Sequence, residues 1–162
     1  MQVVSNTSPL SNLGVINELG LLQQIYPKVI IPPIVQAELM RFSEIQPTIS
    51  TLINSGWLEI QIPKNPQLIS TLEQTLDPGE SAAIALAIDL KADRLLIDER
   101  LGRDVATQYG LKIRGILGIL VNAKKQGLIP ATQPLLDRLV NEAGFRVNQA
   151  LYERILQASD EK

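Results

Sequence analysis

Short apolar runs recur along the chain, separated by longer stretches with helical spacing. Gln2-Val3-Val4-Ser5, Val29-Ile30-Ile31 and Arg94-Leu95-Leu96-Ile97 are too short for helices and rich in aliphatic residues, so they predict buried strands. Trp57 to Ile62 alternates apolar and polar positions, which predicts a strand with one wetter face near a sheet edge. Leu111 to Arg114 completes the set. Between these runs the pattern predicts helices over Pro9–Leu13, Leu19–Tyr26, Ile34–Phe42, Thr48–Ser55, Pro66–Leu76 and Leu101–Tyr109. Ser8 is placed to cap the first of them, with Pro9 at its first helical position. The alanine-rich stretch Ser81–Ile88 is the strongest helical pattern, and its small side chains suit close packing on a sheet. From Ile116 onward the chain reads as helical, over Ile116–Gln126, Thr132–Ala143 and Asn148–Ala158. Gly144-Phe145-Arg146 reads as a turn, not a domain linker, and residues 159–162 as a frayed tail.

Strands that alternate with helices, and that are mostly continuous apolar runs, predict a parallel sheet covered on both faces. The expected architecture is one α/β domain over residues 1–158, with about four to five strands and a C-terminal helical part over 116–158. A length of 162 residues suits a single substantial core.

Composition narrows the chemistry. There is no cysteine and no histidine, which excludes thiolate catalysis, Cys- or His-ligated metals and imidazole general bases. Hydrolytic chemistry is left to carboxylates, lysine and hydroxyls, and carboxylates favour hard cations such as Mg²⁺ or Mn²⁺. A net charge of −2 gives no global positive field for nucleic acid, so any such contact needs a local basic patch or a metal bridge. No signal peptide and no run of about 20 apolar residues is visible, so a cytoplasmic protein without a membrane span is expected.

Ligands of open parallel sheets bind beyond the carboxyl ends of the strands. Asn6 follows the first strand, and Asp98 and Glu99 follow the Leu95–Ile97 strand. Glu38 lies one turn into the helix after Val29–Ile31, and Glu80 opens the alanine-rich helix. Each has a structural alternative. Glu80 sits three residues after Asp77, the spacing of a capping box. Glu38 flanks an apolar stripe, as a solvated helix side does. Asp98 can cap the Leu101 helix or begin a turn, and Asn6 can form an Asx-turn. Glu99, Arg100, Arg103 and Asp104 make a mixed-charge run of the kind usually found on solvated faces.

Four segments taken together are more specific. SNTSPL at the start, IPPIVQAEL around Glu38, LDPGESAAIALA around Glu80 and LLIDERLGRDVA around Asp98 resemble a PIN domain. More narrowly they are similar to a prokaryotic branch related to the toxin nucleases of toxin–antitoxin pairs, a branch that GILGILVNAKKQGLI and GFRVNQALYERIL also fit. The resemblance spans nearly the whole chain and implies a Rossmann-like sheet with acids over its centre, binding Mg²⁺ or Mn²⁺ and hydrolysing RNA. It implies Glu38, Glu80 and Asp98 as catalytic, metal-binding acids, with the Ser8 hydroxyl nearby. Where the family has its first acid, this chain has Asn6, an amide that offers an oxygen but no charge. Glu99 or Asp104 are positioned to compensate. Arg100, Arg103, Lys124 and Lys125 are candidates for phosphate contacts. The expected activity is a metal-dependent ribonuclease, with a cognate antitoxin and a homodimer as expected partners. The alternative is a non-catalytic module that binds RNA or protein through a site weakened by Asn6. The apolar Ile116–Val121 segment suits either a dimer interface or the core. A nucleotide-binding domain is disfavoured, because neither G-x-G-x-x-G nor G-x-x-x-x-G-K-[ST] occurs.

Overall fold

Each strand is three residues or fewer, and most of the residues that form them are aliphatic. In the computed structural model, which describes residues 1–161, they are β1 (Val3–Ser5), β2 (Val29–Ile31), β3 (Leu58–Ile60), β4 (Arg94–Leu96) and β5 (Ile113–Arg114). All pair in parallel, in the order β3-β2-β1-β4-β5. The helices are α1 (Thr7–Val15), α2 (Leu19–Ile25), α3 (Pro33–Leu39), α4 (Gln46–Asn54), α5 (Pro66–Leu72), α6 (Pro78–Leu90), α7 (Arg100–Gln108), α8 (Ile116–Lys125), α9 (Gln133–Glu142) and α10 (Gln149–Ala158). The expected α/β architecture with a parallel sheet is the one observed.

Successive strand residues point to opposite faces, and the core divides accordingly. Val3, Val29, Ile31, Leu58 and Leu96 join one apolar cluster with residues of α1, α2, α4, α8 and α9. Val4, Ile30, Leu95 and Ile97 join a second with α5 and α6. Helix α6 packs on β1 and β4 at the sheet centre, flanked by α5 and α7. Gly79 through Ala87 are all buried, so its alanines do what their size allows and bring the helix axis close to the sheet. Ile116, Ile119 and Leu120 of α8 are spent in the core.

Several boundaries differ from expectation for local reasons. Ser8 is not the cap of α1. The backbone N–H of Asn6 bonds to the Leu96 carbonyl at 3.0 Å, so the chain turns straight from strand into helix with Asn6 at the N-cap position. β3 is shorter than the Trp57–Ile62 alternation because β2 ends at Ile31. The Gln61 N–H still reaches the Ile31 carbonyl at 3.0 Å, but Ile62 is 74% exposed. Residues 159–161 are held instead of frayed. Ser159 is buried, and Glu161 accepts the N–H groups of Thr132 at 2.6 Å and Gln133 at 2.9 Å, which open α9. Lys162 lies outside the described residues. Among the described residues, no helix is long and apolar enough to cross a membrane.

Candidate active site

The strand order reverses between β1 and β4, because β2 and β3 extend the sheet on one side and β5 on the other. A crevice is expected at the carboxyl ends of these two strands. Asn6 and Asp98 occupy those ends. Asn6 is 4% exposed and makes no side-chain cap bond, so its amide is not consumed as an Asx-turn former.

Asp98 caps a helix, though not the one that follows it. Its Oδ1 accepts the N–H of Ile116 at 2.7 Å, at the start of α8. Glu99 holds the N-cap position of α7 with no side-chain bond. The other oxygen, Oδ2, is buried with no hydrogen-bond partner among the described residues. Burial pushes the Asp98 carboxyl up to about 6, opposed by the Ile116 N–H and the Arg103 guanidinium and reinforced by the negative charge of Glu99.

Glu80 shows the same division between its two oxygens. Asp77 Oδ1 accepts the Glu80 N–H at 2.8 Å and Glu80 Oε1 accepts the Asp77 N–H at 3.4 Å, which completes the capping box. Oε2 is left buried and unpartnered. Burial raises the Glu80 carboxyl to about 7, with the charges of Asp77 and Glu99 pushing the same way. Structural and chemical roles are therefore compatible in both acids, since each uses one oxygen for the fold.

Glu38 is half-buried on α3 and not a solvated flank. Its Oε1 accepts a hydrogen bond from the Thr7 hydroxyl in the first turn of α1. Each of the three acids also lies against a glycine. A Cβ at Gly79 would collide with Glu38 Oε1, one at Gly102 would stand 2.6 Å from Glu80 Oε2, and one at Gly115 would stand 3.0 Å from Asp98 Oδ1.

Ser8 stands where two clefts meet. One, of about 270 Å³, is lined by Asn6, Thr7, Ser8, Glu38, Arg41, Phe42 and Asp77. The other, of about 390 Å³, is lined by Ser8, Asn12, Asp98, Glu99, Arg100, Gly144, Phe145 and Arg146. Glu80 lines neither and sits beneath Gly102. Among the described residues, no three acids stand close enough to share one ion. Arg103 lies beside Asp98, and Asp104 shares a further cleft with Asp98, Arg100 and Arg103. Lys124 and Lys125 are placed elsewhere, at the far end of α8, about 12–14 Å along the helix from Asp98's contact. Lys124 Nζ also donates to the Ser159 carbonyl at 2.6 Å and pairs with Glu161 at 3.5 Å.

The sequence reading overlooked Thr7, the three glycines, Arg41-Phe42 and the wall made by Phe145-Arg146. None carried a usable signal; even the glycines abut acids distant in sequence, Gly79 against Glu38, Gly102 against Glu80 and Gly115 against Asp98. The wall falls in a segment read as a plain turn.

Hard oxygen donors, two of them buried carboxylate atoms left without partners, suit a divalent cation in kind. An α/β domain with a doubly wound parallel sheet and buried acids at its switch point is the class these features define. A family model described as a PIN domain matches residues 2–161, and the chain belongs to that family, whose members are generally nucleases and usually use divalent metals. A comparison with curated proteins gives no match.

Proposed function

We propose that this PIN domain is a metal-dependent ribonuclease that hydrolyses phosphodiester bonds of RNA. The observation that carries the proposal is the pair of buried, unpartnered oxygens, Glu80 Oε2 and Asp98 Oδ2, each with its carboxyl held near neutrality by burial. A buried carboxylate without a cation is costly, and Mg²⁺ or Mn²⁺ is the counter-charge its chemistry favours. Glu80 and Asp98 would hold the ion, with Asn6 as a neutral oxygen donor; Glu38, which does not stand within reach of the same ion here, would join as the further acid only by a movement of its side chain. A bound divalent ion supplies an activated water and offsets charge on the phosphate. The Ile116 N–H fixes Asp98, the Asp77 N–H fixes Glu80 and the Thr7 hydroxyl fixes Glu38, so each acid is oriented before a ligand arrives. Glu99 adds negative charge near both Glu80 and Asp98, which supports its compensating role for Asn6. Ser8 orients groups at the meeting of the clefts. A toxin role with a cognate antitoxin, a homodimeric assembly and a cytoplasmic location are part of the same proposal and rest on the motif resemblance.

A second reading is favoured by two observations. The acids do not stand as a group of three among the described residues, and Asn6 brings no charge. A module that binds RNA or protein without cutting it is consistent with both. Incubation of the protein with single-stranded and structured RNA in Mg²⁺, Mn²⁺ or EDTA separates the two. Cutting that needs the metal and is lost in Asp98→Asn supports the nuclease. Cutting that survives EDTA or persists in Asp98→Asn refutes it, and inactivity restored by Asn6→Asp favours the second reading.

A further inference from the structure

The chain has only two phenylalanines, and both line the clefts that meet at Ser8. Phe42 follows α3 and is 38% exposed, among the few large apolar side chains left in solvent. Its backbone serves the turn, with its carbonyl accepting the Ile45 N–H at 3.0 Å, but its ring lies in the cleft with Asn6 and Glu38. Phe145 is half-buried. It packs on the core yet also lines the cleft with Asp98 and an adjoining one of about 440 Å³. An exposed arginine neighbours each ring, Arg41 on one side and Arg146 on the other, and both line the same clefts. The adjoining cleft continues past Phe145 to Arg103 and Arg114.

An aromatic ring beside a guanidinium is the pairing that takes one nucleotide of a single strand, the ring stacking the base and the cation meeting the phosphate. A paired base is stacked inside its helix and offers no free face, so rings in this arrangement discriminate for unpaired RNA. We infer that the protein grips single-stranded RNA at two points, one base on Phe42 with Arg41 and another on Phe145 with Arg146, the strand crossing Ser8 between them. This inference rests on the proposed ribonuclease reading for its ligand, but it concerns grip and not chemistry.

The test is binding in EDTA at low salt, where no cutting is expected. The probe is an unstructured uridine-rich RNA carrying one 2-aminopurine, whose fluorescence is quenched on stacking, with a duplex RNA of equal length as the comparison. Wild type is expected to bind the single strand in preference to the duplex and to quench the probe. Phe42→Ala and Phe145→Leu, the latter keeping bulk against the core, are each expected to weaken binding by roughly five- to a hundredfold. Phe42→Tyr and Phe145→Tyr should stay within about twofold of wild type, since the stack survives. Thermal unfolding of each variant shows that the fold is intact. Equal affinity for duplex and single strand, no RNA binding at all, or Phe42→Ala and Phe145→Leu binding like wild type would each overturn the inference. Metal-dependent cutting without ring-dependent binding defeats this inference alone, and ring-dependent binding without cutting defeats only the nuclease reading.

Discussion

Replacing Glu80 with glutamine removes one buried charge while sparing the fold contact made by the same side chain. The amide oxygen can still accept the Asp77 N–H, so the capping box persists. Burial raises the Glu80 carboxyl from an ordinary 4.5 to about 7, so the folded state holds this proton more tightly than the unfolded chain does. The associated stability is fully present below the unfolded pKa of 4.5 and is lost as pH rises to about 7. At roughly 1.4 kcal/mol for each pH unit, the full loss is on the order of 3 kcal/mol for Glu80. Glutamine escapes that loss, but its amide N–H₂ enters a pocket where Oε2 has no partner, which costs about 1–2 kcal/mol. Glu80→Gln is therefore expected to be about 1–2 kcal/mol more stable than wild type at pH 8 in EDTA, a rise of roughly 2–8 °C in Tm for a domain of this size. At pH 5 the advantage should vanish or reverse. The assay is urea or thermal unfolding of both proteins from pH 5 to 8. Saturating Mn²⁺ should invert the order at pH 8, because an ion bound at a hundred times its Kd adds about 2.7 kcal/mol to wild type. A stability difference that does not change with pH would refute the claim that Glu80 carries an uncompensated buried charge.

Asp98→Ala removes the acceptor for the Ile116 N–H and Asp98→Asn keeps it, so the alanine variant should be about 1 kcal/mol less stable than the asparagine variant, as urea midpoints of the two at one pH would show. Asn6→Asp should raise Mn²⁺ affinity, measured by calorimetry, and should lower stability in EDTA by adding a further buried charge. Gly102→Ala places a methyl 2.6 Å from Glu80 Oε2 and should weaken Mn²⁺ binding without removing any acid. Although burial opposes it, the N–H groups of Thr132 and Gln133 and the Lys124 ammonium hold Glu161 below the usual carboxylate range. Its contribution is present above the unfolded pKa and lost as pH falls through the folded one, so Glu161→Ala should cost about 1 kcal/mol near neutrality and little in strong acid, with faster amide exchange at the start of α9.

Much of the fold was legible because short apolar strands and alanine-rich α6 state their environment locally. β2 falls where its β-branched run predicts, and Gly56 and Gly110, both at positive φ, mark the ends of α4 and α7. What was not legible depends on partners distant in sequence. That Asp98 would cap α8, 18 residues on, instead of its own helix depends on how β5 pairs with β4. Thr7 meets Glu38 across 31 residues only because α1 and α3 pack together. The capping box at Asp77 and Glu80 was legible as spacing, but the orphaned second oxygen follows from α7 lying over it. Phe145 read as part of a turn because its role depends on α10 returning beside α8.

The glycines at 79, 102 and 115 have a further use as a record of history. An acid can persist in a sequence after its purpose is gone, because one of its oxygens still serves a helix end. The empty space beside it has no such second duty. In a relative of this chain, a larger residue in the place of Gly102 would mark a carboxylate pocket that has been closed, even where every acid is still written in the sequence. Clearance, more than charge, is then the character to follow when sorting working members of such a group from retired ones.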